Sequence, residues 1–255
     1  MRHYFQAERL KYRHSAVEWM PVFMPLFSVL LAAVLTWEYF AVDSYNWWYM
    51  TLFPGFTAIL CGLIGTKDRK MQNRAILTLP VDMGKVWDGK VLCGLLGIGM
   101  AMLVLFLGTV GLSVVLERGF GVVFFIRPMF WEQAWAALLL WVAFLWQVPF
   151  CLLLFQLVGF FPMLLLHMGS YIILAASMSL KPYFVLFPGA LASRMMCVAL
   201  KILPNGLPAE PGQMTFVPEL LDQKSIPLGL FAAIFWFILF WWLGRMLFER
   251  QAKRG

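Results

Sequence analysis

Charge is what this sequence has least of. Only 13% of its residues are Asp, Glu, Lys or Arg, against about 25% in a soluble domain. So little charge cannot cover a water-exposed surface. Histidine is also scarce, with three residues, and neither H-E-x-x-H nor G-x-S-x-G occurs, which removes zinc peptidases and nucleophile-elbow hydrolases. A membrane-embedded hydrolase would need His, Glu or Ser clustered within apolar runs, and no such cluster is seen. Gly84 to Lys90 fits G-x-x-x-x-G-K, but Val91 stands where a magnesium-binding Ser or Thr is required. No buried strand precedes it, so this is no P-loop, and the chain is not expected to hydrolyse ATP. Four Cys do not make a disulfide framework: Cys61, Cys93 and Cys151 sit in apolar runs and Cys197 stands alone. No metal site is expected.

What the chain has in abundance is apolar surface. Hydrophobic residues make up 62% and the mean hydropathy is +0.79. The fold class read from this is an all-α polytopic membrane protein. Residues 17–36, 47–65, 91–116, 134–158, 163–179 and 226–248 are read as six spans, each near the length a bilayer needs. Residues 1–17 have charges throughout and no apolar core segment, so they do not read as a signal peptide. Residues 183–203 are apolar enough to tempt a seventh span. Pro188-Gly189 breaks that run. Arg194, Cys197 and Lys201 then recur on one helical side, with Leu191, Met195 and Ile202 opposite. The expectation is an amphipathic or re-entrant piece at the outer interface, within an outer segment 181–227, ended by Pro204-Asn205-Gly206.

The positive charges fix the orientation. Fourteen of the twenty Lys and Arg fall in the N-terminal segment, in 67–90 or from Arg245 onward, and six fall elsewhere. Lys and Arg close to span ends are retained in the cytoplasm, so both ends and 67–90 are placed inside. The net charge of +7 then answers to anionic inner-leaflet lipid rather than to nucleic acid. Residues 1–15 read as a basic interfacial helix, Phe5, Tyr12, Ala16 and Trp19 on one face and Arg2, Gln6, Arg9 and Arg13 on another; the plainer reading is a solvated basic tail. Ser15 to Glu18 has the form of a capping box. Trp37, Tyr39, Tyr45, Trp47 and Trp48 read as an outer aromatic belt. Within 67–90, Thr78 is a candidate N-cap and Pro80 suits a first turn, giving two short helices with a hinge. Gly94, Gly97, Gly99, Gly108 and Gly111 mark the third span as close-packing. The charge-free turn 159–162 is expected to be buried against protein. His167 is the one ionisable group deep in a span, with Gln147 and Gln156 as candidate partners. A role in function is the default for such a group; a neutral, packed His is the plainer reading.

A membrane body with no energy source, an interfacial first helix, six spans and one basic inner loop resembles the permease of a type-2 ABC exporter. Four stretches sharpen this toward the lantibiotic immunity, or protection, permeases: Ala7 to Tyr12; Asn46 to Tyr49 with Pro54-Gly55; Arg74 to Asp82; and Ser193 to Cys197 with Ile202 to Pro208. Gly84 and Gly89 depart from the pattern by loosening the helix that enters span three.

The resemblance implies an elbow helix at 1–15 and a coupling helix within 67–90 that docks on a separate ABC ATPase dimer. Lys67, Asp68, Arg69, Lys70, Arg74, Thr78, Leu79, Pro80 and Asp82 would carry the docking. It implies ATP and Mg on that partner, no cofactor on this chain, and a second six-span permease, identical or homologous. The cargo would be a lantibiotic or similar cationic antimicrobial peptide, expelled from a bacterial cytoplasmic membrane. Arg194, Lys201, His167 and Gln147 are the candidates bordering its path. The plainer reading makes the inner basic residues a topology anchor and has Arg194 and Lys201 snorkelling at the interface. A different cargo, lipid or peptide, and a non-transporting sensor or scaffold are the other readings left open.

Overall fold

The computed structural model of the protein describes residues 1–69 and 81–252, with the side chains of 68, 69 and 252 left out of that description. Among the described residues it is a helical bundle. Helix α1 (Arg2–Lys11) leads into α2 (Ala16–Leu35), then α3 (Phe40–Trp47) and α4 (Phe53–Arg69). The long α5 (Met83–Phe120) is followed by α6 (Phe130–Phe144), α7 (Gln147–Val158), α8 (Phe160–Ser177), α9 (Leu191–Ala199) and α10 (Ser225–Ala252). Six helical units are long and apolar enough to cross a membrane: Ala16–Leu35, Trp37–Lys67, Met83–Phe120, Phe130–Val158, Phe160–Ser177 and Ser225–Gln251. Residues 183–203 do not form one of them.

Several boundaries differ from the sequence reading. α1 stops at Lys11, and His14 turns the chain at φ 58. Ala16 and Trp19 therefore belong to α2 and not to the face carrying Phe5. The capping box is not made: Glu18 accepts from the His14 amide at 2.8 Å instead of the Ser15 amide, and the Ser15 hydroxyl donates back to the Tyr12 carbonyl. Two of the five residues of the expected aromatic belt are core, while Trp37 is exposed. The chain drops straight back into the bundle as helix from Trp37, so Tyr45 and Trp48 are wholly buried. Tyr45 donates to the Gln133 carbonyl at 3.3 Å, and Trp48 Nε1 to the Met102 sulfur at 3.3 Å. A π-helical turn, Trp48–Leu52, precedes Pro54. Such a turn relieves the backbone where proline cannot donate.

α5 begins at Met83 rather than at residue 91. Its 38 residues make it about 57 Å long, well beyond the roughly 30 Å of a bilayer core. Gly84 and Gly89 do not loosen it; both lie inside the helix. Its far end closes on Gly121, whose φ of 68 lets the amides of Gly121 and Val122 reach the Glu117 and Leu116 carbonyls, both at 3.1 Å. The 5→1 bond from the left-handed Gly121 to Glu117 is the αL form of helix close. The fourth unit is broken between α6 and α7, one turn before Pro149, whose missing N–H leaves the Leu145 carbonyl without its helical donor. Gly159, at φ 85, joins α7 to α8. The turn there is not covered by this chain as expected: Leu157 and Phe161 are exposed.

α5 packs along α2, α1, α6 and α10, and α4 packs between α7 and α8. One main cluster, with Trp48, Phe53, Phe56, Phe144 and Tyr171 at its centre, fills the bundle. α9 packs against α6 and α10 and is buried from Leu191 to Cys197. It is a piece inserted into protein rather than one lying on a lipid surface. A small second cluster of Cys197, Leu203, Ala209 and Leu220 closes the segment around it.

Candidate functional site

Helix α1, the end of α10 and the start of α5 meet at one end of the bundle, called here the basic end. The first two turns of α5 are gripped there from two sides.

The first grip is Glu8 of α1. Its side chain is 3% exposed and faces Lys90 of α5, itself 4% exposed, at 3.0 Å. Lys11 Nζ reaches the other carboxylate oxygen at 2.5 Å, and the Tyr12 hydroxyl donates to Glu8 at 2.9 Å. Tyr12 also donates to the Ile64 carbonyl at 3.2 Å, which ties in the end of α4. Tyr4 adds a lighter contact, its hydroxyl accepting from the Asp82 amide at 3.2 Å. Gly89 makes the approach of α1 possible, since a Cβ there would sit 3.3 Å from the Tyr4 carbonyl oxygen. An acid with three donors around it replaces the hydration it gave up on burial.

The second grip is Asp88. Arg245 of α10 donates to it at 2.9 Å, and Trp241 Nε1 donates at 2.8 Å. Arg245 also pairs with Glu249 at 3.1 Å, one turn on. In return, Trp87 Nε1 donates to the Trp241 carbonyl at 3.2 Å. Two glycines admit the contact. A Cβ at Gly84 would strike Arg245 and Glu249, and one at Gly244 would strike the Trp87 ring. Asp82 caps α5 by accepting from the Lys85 amide at 3.2 Å. That backbone hydrogen bond holds its carboxyl below the ordinary carboxylate range.

These contacts tie the start of α5 to α1, α4 and α10 at once: the Glu8–Lys90 pair is almost fully desolvated, while Asp88 and Arg245 keep 13% and 31% of their side chains exposed. Among the described residues no group of His, Cys, Asp and Glu is placed to hold a metal.

Of the residues expected to dock a partner, Lys67 is exposed at the end of α4, and Asp82 is exposed as the α5 cap. The side chains of Asp68 and Arg69, and all of Lys70, Arg74, Thr78, Leu79 and Pro80, lie outside the described residues, and with them the Thr78 cap and the proline hinge. The grips themselves were not picked out from sequence. Their signal was available: Glu8 and Asp88 are acids near span ends that also carry Lys90 and Arg245.

The four path candidates separate. His167 and Gln147 are wholly buried, Nε2 to Oε1 at 3.2 Å, with Trp146, Phe150 and Tyr171 around the ring. Gln156 takes no part. Arg194 is 5% exposed and does not snorkel. It donates to the Ser225 hydroxyl at 3.1 Å, the Ser179 carbonyl at 3.4 Å and the Glu219 carbonyl at 2.6 Å, with Phe184 beneath its guanidinium. It ties α9 to both ends of the surrounding segment, and burial lowers its basicity. Lys201 is exposed at φ 53 and lines a cleft of about 310 Å³ with Arg127, Glu132 and Glu210.

Compared with known proteins, residues 4–175 match the family model described as ABC-2 family transporter protein. No curated protein and no solved structure matches the chain. The family match runs from α1 to the end region of α8 and covers well over half of the residues. With its six membrane-length helices, the chain belongs to the ABC-2 family of transporter proteins, as a multi-pass, non-catalytic membrane subunit of a type-2 ABC exporter.

Proposed function

We propose that this chain is the permease of an exporter that removes a lantibiotic or similar cationic antimicrobial peptide from a bacterial cytoplasmic membrane. The basic end faces the cytoplasm, where residues 67–90 dock on an ABC ATPase dimer. α1 is the elbow helix, and a second six-span permease completes the body. ATP and Mg belong to the ATPase. The observation that carries the coupling role is the double grip on α5: a push on the residues before Met83 has somewhere to go. The cargo assignment is supported by the four sequence stretches that resemble lantibiotic protection permeases. An amphipathic peptide that partitions into the outer interface has to be met sideways, at the level of the Lys201 cleft.

The test pairs survival with hydrolysis. Cells carrying the chain and its ATPase are challenged with a lantibiotic, beside cells lacking the chain, and ATPase stimulation by the purified permease is measured. Protection and stimulation together are expected. Leu79→Asp with Pro80→Ala should abolish protection without loss of membrane insertion. Equal killing with stimulation intact points to another cargo, lipid or peptide. Absence of stimulation points to a sensor or scaffold and removes the transport reading.

A further inference from the structure

A cavity of about 420 Å³ opens between α5 and α6 at the end of the bundle opposite the basic end. Its charged pair is Glu117 of α5 and Arg127 of the following loop, joined at 2.9 Å. Behind that pair lie Ser113 and Gln133, 9% and 6% exposed. The Gln133 amide nitrogen is used, donating to the Pro128 carbonyl at 3.1 Å. Its carbonyl oxygen Oε1 and the Ser113 hydroxyl have no hydrogen-bond partner. A helical serine ordinarily turns its hydroxyl back onto the carbonyl one turn earlier, as Ser170 and Ser177 do here. Two buried acceptors left open beside one cavity mark a place built for a donor. The remaining wall is apolar, with Val110, Val114 and Phe130 leading out to the bundle surface.

Depth and charge narrow the ligand. Lys90 is the last charged residue of α5 before its apolar stretch, and about 20 residues of helix cross a bilayer core. Ser113 and Glu117 therefore stand at headgroup level on the far side. The rim presents one cation and one anion that already neutralise each other. A ligand with one of each can exchange that single pair for two without leaving a charge over; a purely cationic or anionic ligand cannot.

We infer that the cleft holds a phospholipid with a primary ammonium and a phosphate in its headgroup. The ammonium donates to Glu117, Gln133 Oε1 and the Ser113 hydroxyl. The phosphate meets Arg127. The acyl chains run down Val110 and Val114 into the bilayer. This site is independent of the cargo.

The experiment uses the purified, detergent-solubilised full chain and native mass spectrometry. Dioctanoyl lipids bearing phosphoethanolamine, phosphocholine or phosphoglycerol heads are compared. Phosphocholine has no N–H to donate, and phosphoglycerol has no cation. The phosphoethanolamine lipid should bind at least about tenfold more tightly than either, the value of one charge-assisted hydrogen bond. Gln133→Leu and Glu117→Gln should erase that preference, with thermal unfolding of each variant showing that it is folded. Val114→Trp, which narrows the apolar side from outside the polar pocket, should weaken all three lipids together. Equal affinity for the three heads in the wild-type chain would overturn the inference. So would a lysine-rich peptide that displaces the phosphoethanolamine lipid while phosphoethanolamine shows no preference of its own.

Discussion

Replacing Glu8 by Gln keeps the shape of the first grip and removes its charge. Lys90 is then left buried, at 4% exposure, without the carboxylate 3.0 Å away. Breaking a buried pair from one side costs up to about 3–5 kcal/mol, and Lys90 has a further interaction that this change does not touch. A neutral amide still accepts one hydrogen bond, so the lower end of that range applies. About 3 kcal/mol corresponds to roughly a hundredfold rise in the population with α1 detached. Hydrogen–deuterium exchange of the full chain in nanodiscs reads this directly: amides of residues 4–11 should exchange roughly a hundredfold faster, while those in α7 and α8 stay unchanged. Glu8→Leu with Lys90→Met should bring exchange back near wild type, since an apolar pair of similar volume is often neutral. The double variant separates loss of the charge pair from a general loosening. Unchanged exchange in Glu8→Gln, or a double variant worse than the single, would refute the claim that this ion pair holds α1 to α5.

Gly84→Val drives a branched side chain into Arg245 and Glu249. It should displace the end of α10 and lower ATPase stimulation several-fold, while an Ala at the exposed Gly111 should have no such effect; stimulation assays on both check it. Arg194→Met leaves the Ser179 and Glu219 carbonyls without their donor, at about 1–3 kcal/mol for each buried group. Thermal unfolding should fall by several degrees, and limited proteolysis should cut within 203–217. Cys197 is wholly buried, with burial pushing its thiol up to about 12. At pH 8 it should resist a maleimide in the folded chain and react only after denaturation.

The bundle was legible because it depends on length and hydropathy. Six runs of apolar residues needed no partner to be recognised, and Pro188-Gly189 stopped a seventh. The start of α5 was not legible. Gly84 and Gly89 look like breakers along one chain; only α1 and α10 pressed against them turn them into contact points. Tyr45 and Trp48 misled for a related reason. Composition marks an aromatic cluster near a span end and cannot tell a lipid interface from a core. Arg194 looked interfacial by helical spacing, but its three acceptors come from residues 15 to 31 positions away. His167 with Gln147 was within reach, because α7 and α8 are joined by a single glycine and must run side by side.

Coupling requires that the ATPase take hold of the residues before Met83. A photo-reactive benzoylphenylalanine at Leu79, irradiated in cells that also make the ATPase, tests it most directly. A covalent product with the combined mass of permease and ATPase, lost when the ATPase gene is removed, is the expected result. No product from Leu79, with one formed instead from a control position at Glu210, would contradict it.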